Sequence, residues 1–342
     1  MTVRYSDFSQ TLGAITDASF PETSGAETVY LKIAGKFSCR IRFFSEPLRR
    51  AFLPALTGIL SPEPASMTPD FTFDCWESAL CGFPIPPWPF GDGDVRGGVV
   101  HQFDGEGGAY FSHESGAFSY LDAGSRRGFF WLRNAEDLQG YEKAAPLLQL
   151  LHWALGILGL HVTHAAAVAT EKGAALLVGR GGSGKSTSAA LCLEAGMRHL
   201  CDDYCVLSMD GDPRVHSLFG TAKLHPRSLL LSPLRSWSDR RAWSSDEKTV
   251  ILLSTDNSPA PRLRVILLPS VTGKGAASLR PASPGESLRS LAPSSLFQLK
   301  GGEAASFALY SKLVRTLSSF HLNLGEQPET VAGRIREAIE ES

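Results

Sequence analysis

Residues 176–190 read LLVGRGGSGKSTSAA: an apolar run, a glycine-rich turn, a lysine, two hydroxyl residues and then small residues. Positions 179–186 satisfy the pattern GxxxxGK[ST] in full. The apolar run predicts a strand, and the segment KSTSAALCLEAG predicts a helix that is capped at Gly196. A strand, a glycine loop and a helix in this order predict a P-loop within an α/β fold.

The glycine turn predicts a site for ATP or another nucleoside triphosphate. Glycines let successive backbone N–H groups converge on one anion, and the helix that starts near Lys185 adds its N-terminal dipole. We expect Lys185 to neutralise the outer phosphates and the Ser186 hydroxyl to bind Mg²⁺. The predicted nucleotide-binding residues are Gly179, Gly181, Gly182, Ser183, Gly184, Lys185, Ser186 and Thr187.

An acidic pair, Asp202 and Asp203, follows the apolar run MRHLC and begins sixteen residues after Ser186. The end of a neighbouring strand is where an α/β sheet places its metal-binding carboxylate. On a regular strand the two side chains would face opposite sides, so we expect one to bind Mg²⁺ and the other to accept a proton. Which aspartate has which role stays open, as does a plain strand-end role for either. The predicted metal ligands are Ser186, Asp202 and Asp203.

A histidine, His164, opens the strand-like run HAAAVAT fifteen residues before Gly179. Taken alone, a histidine in an apolar stretch is more often a core residue than a functional one. His164 is a candidate functional residue because of its order in the chain, since it precedes the glycine turn, which in turn precedes the acidic pair.

The order of His164, the glycine turn and the acidic pair resembles HPr kinase/phosphorylase and the wider group of HPr-kinase-like proteins, over roughly 141–325. A similar P-loop core occurs in ATP-dependent phosphoenolpyruvate carboxykinase. The resemblance implies an α/β fold with that core and a catalytic base, Asp202 or Asp203, that acts on a serine hydroxyl. It also implies Mg²⁺ near Ser186 and an active-site role for His164. With Lys185, these two aspartates and this histidine are the predicted catalytic residues.

Two departures from the family pattern concern the substrate. Thr187 stands where the bifunctional enzymes usually carry glutamate, and their later Glu-Ile-Arg-Gly-type signature is missing. Both departures argue against phosphate removal and against HPr as the acceptor. The pattern is more similar to HPr-kinase-like proteins of peptide-modification systems, including lasso-peptide maturation. We therefore predict an ATP- and Mg²⁺-dependent kinase for a serine of a peptide or small protein.

A change of composition near residue 140 predicts two domains. Residues 1–140 are expected to form a β-rich α+β domain of unknown role, with a hairpin at 28–44, a helix capped by Ser45 and a meander over 107–133. Residues 141–342 are expected to form the P-loop kinase-like domain. Its further elements are a strand at 262–270 and helices at 302–319 and 328–342.

A polar segment at 222–248 follows the acidic pair. It either binds phosphates or an anionic peptide, with its tryptophans closing over the site, or is a solvated surface loop. Its basic and aromatic residues are Lys223, His225, Arg227, Arg235, Arg240, Arg241, Lys248, Trp237 and Trp243.

The bulk properties exclude several classes of protein. The chain has 342 residues and a formal net charge of −2, which gives no general attraction to nucleic acid or an anionic membrane. Six cysteines without a CxxC pair are typical of buried free thiols, and the start MTVRYSDFSQ has no signal-peptide pattern. The apolar segment 145–162 is interrupted by Gln149, His152 and His161, which favours a buried helix over a membrane span. We expect a cytoplasmic protein without a nucleic-acid partner, and leave self-association open.

Two other functions fit the same sequence. The first domain, which carries no chemical motif, fits a nucleotide-binding switch that presents a surface to a partner and transfers little or no phosphate. A small-molecule kinase, or a relative of the carboxykinases, would need further convergent basic residues around a closed pocket.

Overall fold

The computed structural model describes residues 5–19, 27–62, 68–85, 100–101, 107–245, 247–253 and 259–342. The chain is mixed α/β and divides into two compact units. Unit 1 comprises Met1–Gly159 and Lys300–Gly302, and unit 2 comprises Leu160–Leu299 and Glu303–Ser342. The division differs from the expected boundary after residue 140, because the apolar helix that precedes Gly159 belongs to unit 1.

Unit 1 contains one eight-stranded sheet in the order β3-β1-β2-β4-β8-β7-β6-β5. Its elements are α1 (Tyr5–Ser19), β1 (Glu27–Ile33), β2 (Phe37–Phe43), α2 (Glu46–Leu56), β3 (Leu60–Ser61), β4 (Phe71–Glu77), α3 (Ser78–Cys81), β5 (Val100–His101), β6 (Gly107–Phe111), β7 (Phe118–Asp122), β8 (Arg127–Leu132), α4 (Gly140–Ala144) and α5 (Leu148–Ile157), with short 3₁₀ helices at Thr57–Ile59 and Ala135–Asp137.

Several local predictions for this unit are confirmed. β1 and β2 form the expected antiparallel hairpin, and β6, β7 and β8 form the meander. Ser45 caps α2 by accepting a hydrogen bond from the Leu48 amide at 3.2 Å. The helix α1 is an element that the sequence analysis did not predict. The segment 145–162 is not one helix, since α5 ends at Ile157; within the described ranges no helix has both the length and the apolar character to cross a bilayer.

The charged core of unit 1 is structural. Asp74 on β4 is fully buried and forms salt bridges with Arg42 on β2 and Arg127 on β8, each with an N–O distance of 2.6 Å. Both arginines also contact Asp17 on α1 at 3.0 Å. The buried carboxylate is thus paired and hydrogen-bonded on both sides, as a buried charge must be. These residues join one helix to three strands.

Unit 2 contains a six-stranded sheet in the order β12-β10-β11-β18-β20-β19 and two three-stranded sheets, β14-β13-β9 and β15-β17-β16. Its elements are β9 (His161–His164), β10 (Ala166–Thr170), β11 (Gly173–Leu177), α6 (Lys185–Glu194), β12 (Arg198–Cys201), β13 (Tyr204–Ser208), β14 (Arg214–Ser217), β15 (Thr221–Leu224), β16 (Arg241–Ser245), β17 (Lys248–Leu252), β18 (Leu263–Val271), β19 (Ser278–Pro281), α7 (Pro284–Leu296), α8 (Glu303–Thr316), β20 (Ser318–Leu324) and α9 (Val331–Glu341), with 3₁₀ helices at Pro226–Leu230, Ser232–Arg240 and Pro328–Thr330.

The six-stranded sheet is covered on both faces. Successive side chains of a strand point to opposite faces, and those of β10 and β11 divide accordingly between two hydrophobic clusters. The helices α6 and α9 pack on one face, and α7 and α8 pack on the other. The predicted strand at 262–270 and the two C-terminal helices are confirmed as β18, α8 and α9. All six cysteines are free as predicted, although Cys81 is only partly buried.

Strand direction brings three chain segments to one edge of this sheet. β10 is antiparallel to both of its neighbours, with Ala166 opposite Leu177 of β11 and Ala167 opposite Cys201 of β12. The start of β10 therefore lies beside the ends of β11 and β12. The residues just before β10, just after β11 and just after β12 meet there, and these are His164, the glycine turn and the acidic pair.

Candidate functional site

The glycine loop, residues 178–184, is a tight turn around the ammonium group of Lys185. Lys185 is buried, and its Nζ donates to the carbonyl oxygens of Gly179 at 2.7 Å and of Arg180 at 3.3 Å. Gly179, Gly182 and Gly184 have φ values of 148°, 78° and 105°, which side-chain-bearing residues rarely adopt. The loop conformation therefore depends on glycine at these three positions.

The first turn of α6 offers unsatisfied donors to the loop. Its N-cap is Gly184, which has no side chain with which to cap the first amides. The Ser183 hydroxyl beside it is buried without a hydrogen-bond partner among the described residues. Backbone N–H groups at a helix start and a spare hydroxyl are donors that suit an anion. The loop therefore has the chemistry of a phosphate cradle.

The acidic pair lies at a bend between two strands. Asp203 has a φ of 64°, and the Tyr204 amide donates back to the Asp202 carbonyl at 2.8 Å. Lys223 on β15 contacts both carboxylates: its amide donates to Asp202 Oδ2 at 2.9 Å and its Nζ lies 2.5 Å from Asp203 Oδ2. The condition of a regular strand is not met, because β12 ends at Cys201 and β13 begins at Tyr204, and both carboxylates lie within reach of one lysine.

The two carboxyl groups have opposite pKa shifts. Burial, helped by the charge of Asp203, raises the pKa of Asp202 to about 6. Burial would also raise the pKa of Asp203, but His164 and the ammonium of Lys223 bring it well below the usual range for a carboxyl. Asp203 is thus firmly ionised. A positive charge beside Asp202 would lower its raised pKa and favour its ionised form.

His164 faces Asp203 from the end of β9. Its Nε2 lies 3.8 Å from Asp203 Oδ1, which is too long for a direct hydrogen bond. Burial lowers the pKa of His164, so that the imidazole is neutral near pH 7. Its backbone N–H donates to Ser295 Oγ on α7 at 3.0 Å, and its ring centroid is 5.5 Å from that of Tyr204.

Three lysines surround the two aspartates. Burial lowers the pKa of Lys185, while Asp202 and Asp203 raise it and the charge of Lys248 lowers it. Lys248 also lowers the pKa of Asp202. With Lys223, the site holds one more positive than negative charge, since the histidine is neutral. The sequence analysis names Lys223 and Lys248 only as members of the larger basic group in 222–248, and no local pattern distinguishes these two from the other basic residues.

Within the described residues 222–245 and 247–248, the segment forms β15, two 3₁₀ helices, β16 and the start of β17, so the interpretation as a loop is wrong, although many of its side chains are exposed. Trp237 is fully buried in a hydrophobic cluster, and its Nε1 donates to Glu194 on α6 at 2.5 Å. It is a core residue and does not close over a site. The Thr187 hydroxyl lies 2.8 Å from Ser228 Oγ, which ties the start of α6 to the 3₁₀ helix that follows β15.

The residues present fit a magnesium ion. Asp202 Oδ1 is buried and accepts no hydrogen bond from the residues that the structure describes, although the Ser186 hydroxyl is close enough to lower the pKa of this carboxyl. Carboxylate and hydroxyl oxygens are ligands that Mg²⁺ accepts. Among the described residues no three histidines, cysteines or carboxylates cluster to hold a metal unaided. A magnesium ion here would therefore need phosphate and water oxygens as further ligands.

The chain has a distant likeness to solved structures, while the comparisons with family models and curated proteins find nothing. No protein-family model matches the chain, and no curated protein is significantly similar to it. Among solved structures the chain is similar to the Hpr(Ser) kinase/phosphatase from Coxiella burnetii, with 10% sequence identity and a TM-score of 0.29. The similarity covers 53% of this chain and 97% of that chain.

Proposed function

We propose that the protein is a kinase that transfers the γ-phosphate of ATP, or of another nucleoside triphosphate, to a serine hydroxyl of a peptide or small protein. One observation carries the proposal: the glycine loop around Lys185 and the buried pair of Asp202 and Asp203 lie at the same edge of one sheet. An anion cradle beside two carboxylates is the arrangement that phosphoryl transfer needs. His164 completes the group.

The triphosphate would occupy the glycine loop. Its phosphates would accept hydrogen bonds from the amides at the start of α6 and would replace the loop carbonyls around Lys185 Nζ. Lys223 and Lys248 supply further positive charge at the same place. Because the site already holds an excess of positive charge, an anionic ligand is favoured before any metal binds.

The Ser186 hydroxyl and Asp202 would hold the magnesium ion. Two observations support this choice of carboxylate: Asp202 has the free buried oxygen, and it is the aspartate that interacts with Ser186. When bound, the ion neutralises charge on the outer phosphates. The positive charge would also offset the desolvation that raises the pKa of Asp202.

Asp203 would then face the acceptor. It positions the serine hydroxyl, the serine oxygen bonds to the γ-phosphorus as the bond to the bridging oxygen breaks, and the nucleoside diphosphate leaves. The serine proton passes to Asp203. A carboxylate of low pKa is a weak base, so its main contribution is orientation in a loose transition state. The ion pair with Lys223 holds Oδ2 of this carboxylate, and His164 lies beside Oδ1 at 3.8 Å.

The test is transfer of labelled γ-phosphate to serine-containing peptides with Mg²⁺ present. Lys185→Met and Asp203→Asn are expected to abolish transfer, with circular dichroism unchanged. The matched controls Lys172→Met and Asp239→Asn alter exposed residues away from the site and are expected to keep wild-type rates. Transfer retained in either site variant would overturn the assignment. Nucleotide binding without transfer to any acceptor would favour a switch instead.

A further inference from the structure

A cleft of about 960 Å³ opens beside the glycine loop, within unit 2. Its walls are the loop residues 178–183, the end of β18, one side of α7 and His321 on β20. Sites for a single small ligand span roughly 300–1,000 Å³, so this cleft is at the large end of that range. It has room for part of an acceptor next to the phosphates.

The lining of the cleft is positively charged. It includes Arg180 and Arg289 and contains no aspartate or glutamate. Both arginines are exposed, and neither forms an ion pair within the described part of the chain. His321 differs, since its Nε2 lies 3.1 Å from Glu286 Oε1. Guanidinium groups bind carboxylates and phosphates through paired hydrogen bonds, so two unpaired ones predict an anionic occupant.

The same wall of the cleft is tied to the residues around Asp203. Ser295 Oγ on α7 accepts a hydrogen bond from the backbone N–H of His164 at 3.0 Å. Gln298, just beyond the end of α7, accepts a hydrogen bond from the Tyr204 hydroxyl at 3.2 Å. An occupant of the cleft would therefore lie against α7 and Gln298, which hydrogen-bond the two residues, His164 and Tyr204, that flank Asp203 in the structure.

We infer, on the premise of the proposed kinase function, that this cleft binds the acceptor as a peptide segment with acidic residues beside its serine, and that Arg289 selects those residues. The phosphates of the nucleotide already have the loop amides and three lysines, which leaves the guanidinium on α7 for another anion. Phe297, a residue that is 73% exposed, adds apolar surface to the same wall. An apolar surface beside a cation suits a polypeptide better than a small inorganic anion.

The experiment uses synthetic peptides that share one serine and differ only in whether the flanking residues are glutamate, glutamine or lysine. The wild-type protein is expected to show the lowest KM for the glutamate peptide, by about three- to tenfold over the glutamine peptide. Arg289→Gln is expected to remove that difference. Arg315→Gln, an exposed arginine on α8 outside the cleft, is the matched control and keeps the preference. Added salt should weaken the preference, because the charges are exposed.

The outcomes separate this inference from the kinase proposal. Equal KM values for the three peptides, with transfer intact, would overturn the acidic preference alone. If Arg289→Gln raised the KM for ATP and kept the peptide preference, the arginine would serve the nucleotide and the inference would fail. If no peptide were phosphorylated, the kinase proposal would fail. Fluorescence anisotropy would then test the cleft directly: preferential binding of the glutamate peptide that is lost in Arg289→Gln supports it, and equal binding overturns it.

Discussion

Replacing Gly184 with alanine should destabilise unit 2 and impair nucleotide binding, for two separable reasons. The residue has a φ of 105°, outside the regions that L-residues prefer. An added Cβ would also lie only 2.3 Å from Leu324 Cδ1. Leu324 is buried in the hydrophobic cluster beneath α6, so its side chain has little room to move away.

The size of the loss follows from these two contributions. A left-handed backbone conformation costs an L-residue about 1–2 kcal/mol. Forcing an extra carbon into a packed core costs about 1–3 kcal/mol. We therefore expect Gly184→Ala to lower the free energy of unfolding by about 3 kcal/mol. Gly182→Ala isolates the first contribution, since its φ is 78° and no atom lies within 4 Å of the added Cβ.

Gly181→Ala is the control for both contributions. Its added Cβ also meets no atom within 4 Å, and its φ is outside the left-handed range. Its stability should stay within about 0.5 kcal/mol of wild type. Urea denaturation followed by circular dichroism gives the stabilities, and calorimetry with ATP and Mg²⁺ gives binding. A Gly184→Ala protein as stable as Gly181→Ala would refute the described loop conformation.

Three further predictions concern buried groups of unit 2. Lys223→Met removes the cation paired with the Asp203 carboxylate and should lower the free energy of unfolding by about 3 kcal/mol, most of which a second change, Asp203→Asn, should restore. A double-mutant cycle measured by urea denaturation tests this, and additive losses would contradict the coupling. Burial lowers the pKa of His199 from 6.5 to about 4, so the unfolded chain binds its proton first as pH falls. The contribution of His199 to the free energy of unfolding is therefore complete above pH 6.5 and falls by about 3 kcal/mol towards pH 4. The midpoints of urea denaturation should depend less on pH in His199→Gln than in wild type across that range, and an identical pH dependence in the two proteins would contradict the prediction. Trp237→Ala should lower the free energy of unfolding by about 3–5 kcal/mol, and Trp243→Ala, at a half-buried residue, should lower it clearly less. Thermal denaturation measures both losses, and the reverse order would contradict the placement of Trp237 in the core.

The helix α1 shows why part of unit 1 could not be predicted from sequence. Phe8 and Leu12 have helical spacing and are buried. Gly13 in the middle of the helix lowers its intrinsic propensity. A Cβ at Gly13 would lie 2.6 Å from Arg127 Nη1, so the glycine serves a close approach to the buried charges of the sheet. That reason lies in a strand more than a hundred residues away.

The glycine turn and the acidic pair could be predicted because each is a local pattern with its own chemistry. Lys223 could not, because it meets the carboxylates through the register of a separate small sheet. Trp237 was misinterpreted since it stands among arginines, which resembles a surface segment. Its neighbour Leu234 is fully buried in the same cluster, and a 3₁₀ helix presents both residues inward.

The bend at Asp203 explains why the candidate catalytic residues come together where they do. There the chain leaves the six-stranded sheet after β12 and enters a three-stranded sheet as β13. The chain makes the reverse change at Ala165, between β9 and β10. The two crossings are joined, because the Ala165 amide donates to the Asp203 carbonyl at 3.0 Å. A left-handed aspartate persists only where its surroundings determine it, and this junction of two sheets fixes Asp203 and His164 together.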